Sequence, residues 1–144
     1  MTNTPSTYLV INDNGDAFEV EATDDTYNDL STLVDGYIEC VALPGDVTAW
    51  VNEEGTFRPN NDFVLNLAAT LMVQEWLGHG HHHLVGPTVF AGHNPATGDT
   101  LPCPVGFIAN ERQQGLIFLD GPWTVEECAN RMAESRAIYS EVSP

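Results

Sequence analysis

Apolar and polar residues repeat along this chain with two different periods, and each period predicts an element. Thr7-Tyr-Leu-Val-Ile11 is a short β-rich run, Asn12-Asp-Asn-Gly15 is a turn signal, and Ala17-Phe-Glu-Val-Glu21 alternates apolar with acidic residues. Together they predict a β-hairpin. From about Asp25 to Asp35 the period lengthens: Tyr27, Leu30, Leu33 and Val34 share one helical face, and Gly36 stands where a C-terminal cap belongs. Tyr37 to Leu43 and Val47 to Val51 flank Pro44-Gly45-Asp46 and predict a second hairpin.

The segment from Phe63 to Leu77 is almost wholly apolar. Within it Asn66, Thr70 and Gln74 follow i, i+4, i+8, which predicts a central core helix with one narrow polar stripe facing out. Asn61 or Asp62 would cap its start, and Gly78 would end it. Leu84 to Ala91 predicts a further strand, and the Gly86-Pro87 step inside it predicts an edge position or a bulge. Residues 92–104 read as an exposed loop rich in Gly and Pro, the one candidate linker. Val105 to Ala109 and Leu116 to Leu119 predict another strand pair, with a short helix over 110–114 as the alternative. Thr124-Val-Glu-Glu127 is a capping box that opens a final helix. The order predicts an α+β fold: a mostly antiparallel sheet with a central buried helix and a C-terminal helix. Residues 1–92 are expected to form an α+β core, and residues 93–144 a β/α extension packed on the same domain.

Charge changes the picture more than length does. The 144 residues suit one domain, but they carry 21 Asp plus Glu against four Arg and no Lys, a formal net charge of −17. No cationic cluster for phosphates can be built from Arg58, Arg112, Arg131 and Arg136, so direct binding to nucleic acid or to an anionic membrane surface is excluded. No stretch reaches the roughly 18 apolar residues of a membrane span, and the N-terminus lacks the basic start of a signal peptide, so the expected location is the cytoplasm. The missing Lys reads as a high-GC coding bias, with adaptation to high salt as the alternative. The carboxylates are uneven: twelve lie between Asp13 and Glu54, and no Lys or Arg occurs before Arg58. A one-sign field of this kind speeds association with a basic partner surface. Its expected contributors are Asp13, Asp16, Glu19, Glu21, Asp24, Asp25, Asp29, Glu53 and Glu54. The simpler reading is a solubilising surface.

Chemistry-bearing motifs are few. His79-Gly-His-His-His83, followed by His93, is the conspicuous cluster. His79, His81, His83 and His93 could converge on a metal, although His-rich loops often take up zinc or nickel adventitiously, and no cofactor is expected otherwise. Cys40, Cys103 and Cys128 are odd in number and far apart, which predicts inert thiols and no disulfide framework. A Cys103–His93 pair is the weak nucleophilic alternative. The five serines form no nucleophile elbow, and no glycine-rich phosphate loop is present. Trp50, Trp76 and Trp123 each abut an apolar run and read as core or rim aromatics.

Four signatures occur in order: Leu-Ser-Thr-Leu-Val-Asp-Gly-Tyr-Ile-Glu at 30–39, Val51-Asn-Glu-Glu-Gly55, Pro59-Asn60 ahead of a helix, and Val85-Gly-Pro-Thr-Val-Phe-Ala-Gly92. Over about residues 6–92 the chain thereby resembles domain of unknown function 3846, a family common in actinobacteriophages and their hosts. The family carries no assigned activity, so the resemblance implies a phage or prophage of a high-GC bacterium as the source. The motif residues are explained by turn and cap geometry, with a shared pocket formed by Asn52, Glu53, Asn60 and Arg58 as the alternative.

Three functions are compatible with these features. The first is a non-enzymatic phage accessory protein in the host cytoplasm that binds a basic host protein through its acidic surface, in one version by mimicking the charge of DNA. The second is an oligomeric protein that sequesters a small ligand such as a nucleotide or signal molecule. The third is a metal-dependent hydrolase using the His loop. The first uses the most unusual feature of the chain and is the expectation carried forward.

Overall fold

The computed structural model describes residues 7–44, 46–55, 63–77, 83–94 and 96–142. In chain order the elements are β1 (Thr7–Ile11), β2 (Asp16–Glu21), α1 (Thr26–Val34), β3 (Ile38–Ala42), β4 (Val47–Asn52), α2 (Leu67–Leu77), β5 (Thr88–His93), β6 (Thr100–Leu101), α3 (Val105–Gln113), β7 (Ile117–Phe118) and α4 (Val125–Val142). The strands form one sheet in the order β3-β4-β5-β1-β2-β7, with β6 added to β5.

The fold is α+β, but the sheet is mixed, which corrects the mostly antiparallel sheet expected from the hairpins. Both hairpins are present, in register Leu9 to Glu19 and Cys40 to Trp50. After α3, however, the chain reaches the free edge of β2 running in the same direction, and β7 pairs with it in parallel. Val20 and Trp123 extend that parallel contact.

Helices cover both faces of the sheet. On one face Tyr8, Val10, Phe18, Val20, Val89 and Ala91 pack against Leu30 and Leu33 of α1 and Cys128 and Met132 of α4. On the other, Leu9, Ile11, Ala49, Val51 and Phe90 pack against Ala69 and Val73 of α2 and Ile108 of α3. This explains why Tyr8 to Ile11 is an unbroken apolar run: alternate residues enter two different cores, and every residue of β1 is buried.

Several elements differ from the sequence reading. The strand expected at Val105 to Ala109 is instead the first half of α3, where Phe107 and Ile108 donate their amides to the Pro104 carbonyl. Five apolar residues are too few for the period to separate the two states. The strand expected at an edge, β5, lies inside the sheet between β4 and β1. Gly86-Pro87 precedes its first residue, so the proline removes no ladder hydrogen bond.

The largest reversal concerns α2, which starts four residues later than expected. Asn66 is its N-terminal cap, its Oδ1 accepting from the Ala69 amide at 3.1 Å. The stripe expected to face solvent faces inward: Asn66 is 0% and Thr70 3% exposed, whereas Leu67 and Leu71 are more than half exposed. Asn66 Nδ2 donates to the carbonyls of Ile11 and Gly86 at 2.8 and 2.9 Å, and Thr70 Oγ1 accepts from the Leu84 amide at 2.9 Å. The polar stripe therefore stitches α2 to β1 and to the approach to β5. The expected capping residues Asn61 and Asp62, and the expected stop at Gly78, lie outside the described residues.

Candidate functional site

The acidic residues sort into three groups. Glu21, Asp24, Asp25, Glu53 and Glu54 are exposed, as are Asp35, Glu39 and Asp46. Asp13, Asp16 and Glu19 are half-buried and engaged locally. Asp13 Oδ2 accepts from the Val64 amide at 3.1 Å, Asp16 Oδ2 accepts from Asn14, and Glu19 forms an ion pair with Arg112. Asp29 is 1% exposed and does not belong to the acidic surface at all. Its Oδ2 accepts from the Tyr8 hydroxyl at 3.0 Å and the Thr23 amide at 2.8 Å, and its Oδ1 accepts from Thr23 Oγ1 at 2.6 Å. Burial first, and the Asp29 charge second, push the Tyr8 phenol well above its ordinary range. The signal for this was present, because Asp29 lies four residues before Leu33 on the buried stripe of α1.

An aromatic groove opens beside the exposed carboxylates. Tyr27, Leu30, Ile38, Trp50, Asp99 and Leu101 are among the residues that border about 540 Å³ between α1, the β3–β4 hairpin and β6. The sequence places Tyr27 on the buried face of α1, yet it is 58% exposed. Trp50 is fixed at the groove floor by its indole Nε1, which donates to Thr48 Oγ1 at 3.0 Å. Asp99 is held in place by the Thr97 hydroxyl. Asp25 caps α1 one residue before Thr26, which lines the groove, and its Oδ1 accepts from the Asn28 amide. An aromatic surface under carboxylates is suited to the guanidinium or ammonium side chains of a partner, which are attracted by both. Leu101 was hidden in the segment read as a loop, and only pairing with β5 brings it here.

The pocket expected around Asn52 has a different explanation. Arg58 and Asn60 lie outside the described residues. Asn52 itself is fully used: Nδ2 donates to the carbonyls of Val34 and Asp35 at 2.9 and 3.0 Å, and Oδ1 accepts from the Glu54 amide at 2.8 Å. The side chain thus satisfies the last carbonyls of α1 from the neighbouring strand. Asp35, not the expected Gly36, takes the left-handed cap conformation. Gly36 is needed for a second reason, since a Cβ there would lie 2.6 Å from Asn52 Nδ2.

Of the histidines read as candidate ligands, His79 and His81 lie outside the described residues. His83 is exposed and His93 ends β5 half-buried. Among the described residues no group of three or more His, Cys, Asp or Glu is placed to hold a metal ion. Cys103, the candidate partner of His93, is buried, and burial pushes its thiol up to about 12; the same holds for Cys128. Neither is a thiolate nucleophile at neutral pH. Among the described residues no helix is long and apolar enough to cross a membrane.

A family model described as a domain of unknown function, DUF3846, matches residues 6–114. The chain belongs to this family. The match continues past Gly92, where the sequence resemblance stopped, through β6 and α3. It therefore includes most of the sheet, both hairpins and three of the helices, and leaves β7 and α4 outside. No curated protein and no solved structure gives a match.

Two of the signatures behind the resemblance meet at the Asn52 joint, since Leu30–Glu39 holds Val34, Asp35 and Gly36. Another contributes Gly86, whose carbonyl receives Asn66 and where a Cβ would lie 2.7 Å from the Phe63 ring. These signatures of DUF3846 are accounted for by backbone joints.

Proposed function

We propose that this DUF3846 protein is a non-enzymatic binding protein that holds a basic segment of a partner protein in its acidic, aromatic groove. The supporting observation is the adjacency of exposed Tyr27 and Leu101, with Trp50 beneath, to Asp99 and the carboxylates at the start of α1. Long-range attraction from a chain of net charge −17 brings a cationic partner in, and the groove supplies contacts that charge alone does not. The groove favours an extended Arg- or Lys-bearing segment over mimicry of a DNA backbone, which needs carboxylates without an apolar floor. In the setting implied by the family resemblance, the protein is a phage accessory factor and the partner a host protein in the cytoplasm.

Fluorescence anisotropy with Arg-rich and sequence-matched Arg-free peptides tests this. The Arg-rich peptide is expected to bind with an affinity that falls steeply with salt, and Tyr27→Ala with Leu101→Ala is expected to weaken it about tenfold with no change in protein charge. Binding that ignores both substitutions would reduce the interaction to nonspecific charge attraction and overturn the groove.

A further inference from the structure

A second cavity lies at the turn of the β1–β2 hairpin. Asn12, Asp13, Asn14, Val64, Ser135 and Arg136 enclose about 330 Å³ between the hairpin turn, the approach to α2 and the outer half of α4. That volume lies at the lower end of the range for small-molecule sites.

Most polar groups in its wall are already engaged. Asn14 Oδ1 accepts from Asn12 Nδ2 and from the Asp16 amide, Asn14 Nδ2 donates to Asp16, Asp13 accepts from the Val64 amide, and Ser135 donates to the Arg131 carbonyl. Two atoms are left over. Asn12 is 1% exposed, and its Oδ1 has no hydrogen-bond partner among the described residues; the buried Nη1 of Arg136 has none either. The bond from Asn12 Nδ2 to Asn14 fixes which end of the amide is left as the acceptor. The Arg136 guanidinium rests 5.3 Å from the centre of the Phe63 ring. A buried polar atom without a partner is costly, and folding gives no reason for two in the wall of one cavity.

We propose that this cavity is a binding site for a small uncharged molecule with an adjacent carbonyl and N–H, the lactam edge of a nucleobase. The carbonyl accepts from Arg136 Nη1, and the N–H donates to Asn12 Oδ1. Both residues line the cavity while the two atoms themselves are buried, so binding requires each side chain to turn toward the cavity. Charge selects against nucleotides: one guanidinium faces the cavity together with the Asp13 carboxylate, and the whole chain repels anions.

Isothermal titration of the full chain with uridine and guanosine tests the proposal, with 3-methyluridine and uridine monophosphate as controls. At least one of the two nucleosides is expected to bind. Blocking the N–H in 3-methyluridine and adding a phosphate in uridine monophosphate are each expected to weaken binding at least tenfold relative to uridine. If guanosine alone binds, 1-methylguanosine and guanosine monophosphate replace them. Asn12→Ala and Arg136→Ala, checked for native circular dichroism, are each expected to weaken the bound nucleoside about tenfold or more. The site is refuted if neither nucleoside binds, if the methylated or phosphorylated form binds as well as its parent, or if folded Asn12→Ala keeps full affinity. Because Tyr27 and Leu101 take no part, their variants are expected to leave nucleoside binding unchanged.

Discussion

Asn52 and Asn12 are the same residue type and both deeply buried, Asn52 at the end of β4 and Asn12 just past the end of β1, the two strands that flank β5, and their surroundings differ in one respect. Around Asn52 each polar atom of the amide has a partner, so the side chain closes α1, turns the chain after β4 and dictates Gly36. Around Asn12 the amide nitrogen is used and the oxygen is left over beside a cavity. Asn66 belongs with Asn52. A satisfied buried amide accounts for itself as structure, whereas an unsatisfied one calls for a partner that the described residues do not provide.

The sharpest way to break this comparison is to remove the amides. Asn66→Ala strands the carbonyls of Ile11 and Gly86 and uncaps α2, and is expected to destabilise the fold by about 3 kcal/mol in denaturant unfolding. Asn52→Ala strands the end of α1, with an expected loss of about 2 kcal/mol by the same measurement. Asn12→Ala gives up one side-chain hydrogen bond and relieves an unpaired oxygen, so its expected change is within about 0.5 kcal/mol of zero. If Asn12→Ala costs as much as Asn52→Ala, the two sites are alike and the unpaired oxygen has lost its meaning.

A smaller effect sharpens the same contrast with a charge. Glu111 is buried on α3, and burial, reinforced by the nearby Glu75 charge, raises its carboxyl above the ordinary range, while a contact from Asn110 opposes this. A carboxyl raised in the folded state favours folding when protonated. Its benefit is present in acid below the unfolded value and turns into a penalty as pH climbs through the folded value. Glu111→Gln is therefore expected to raise the melting temperature at pH 7 by a few degrees and to leave it nearly unchanged at pH 3. An equal shift at both pH values would mean that the glutamine acts through packing.

Much of the secondary structure was legible because its signals are local. The two hairpins rest on turn residues and alternation. α4 begins at its capping box, where Thr124 and Glu127 exchange hydrogen bonds at 2.9 and 3.1 Å. The misread segments are those where one pattern fits two environments. Val105 to Ala109 is too short to show its period, and Asn66 and Thr70 on an apolar helix look like a solvent stripe unless buried carbonyls are waiting for them. The candidate sites were less legible. Tyr27 and Leu101 stand 74 positions apart in sequence, and Asn12 and Arg136 still further.

The sequence by itself determined the family, the charge, the hairpins and the capping box of α4, all of which depend on residue type and near neighbours. Only the tertiary structure decided which carboxylates reach solvent, that β7 makes the sheet mixed, that the stripe of α2 turns inward and which amide keeps a free oxygen. Each of those depends on what the far end of the chain brings within hydrogen-bonding distance, and periodicity carries no record of that.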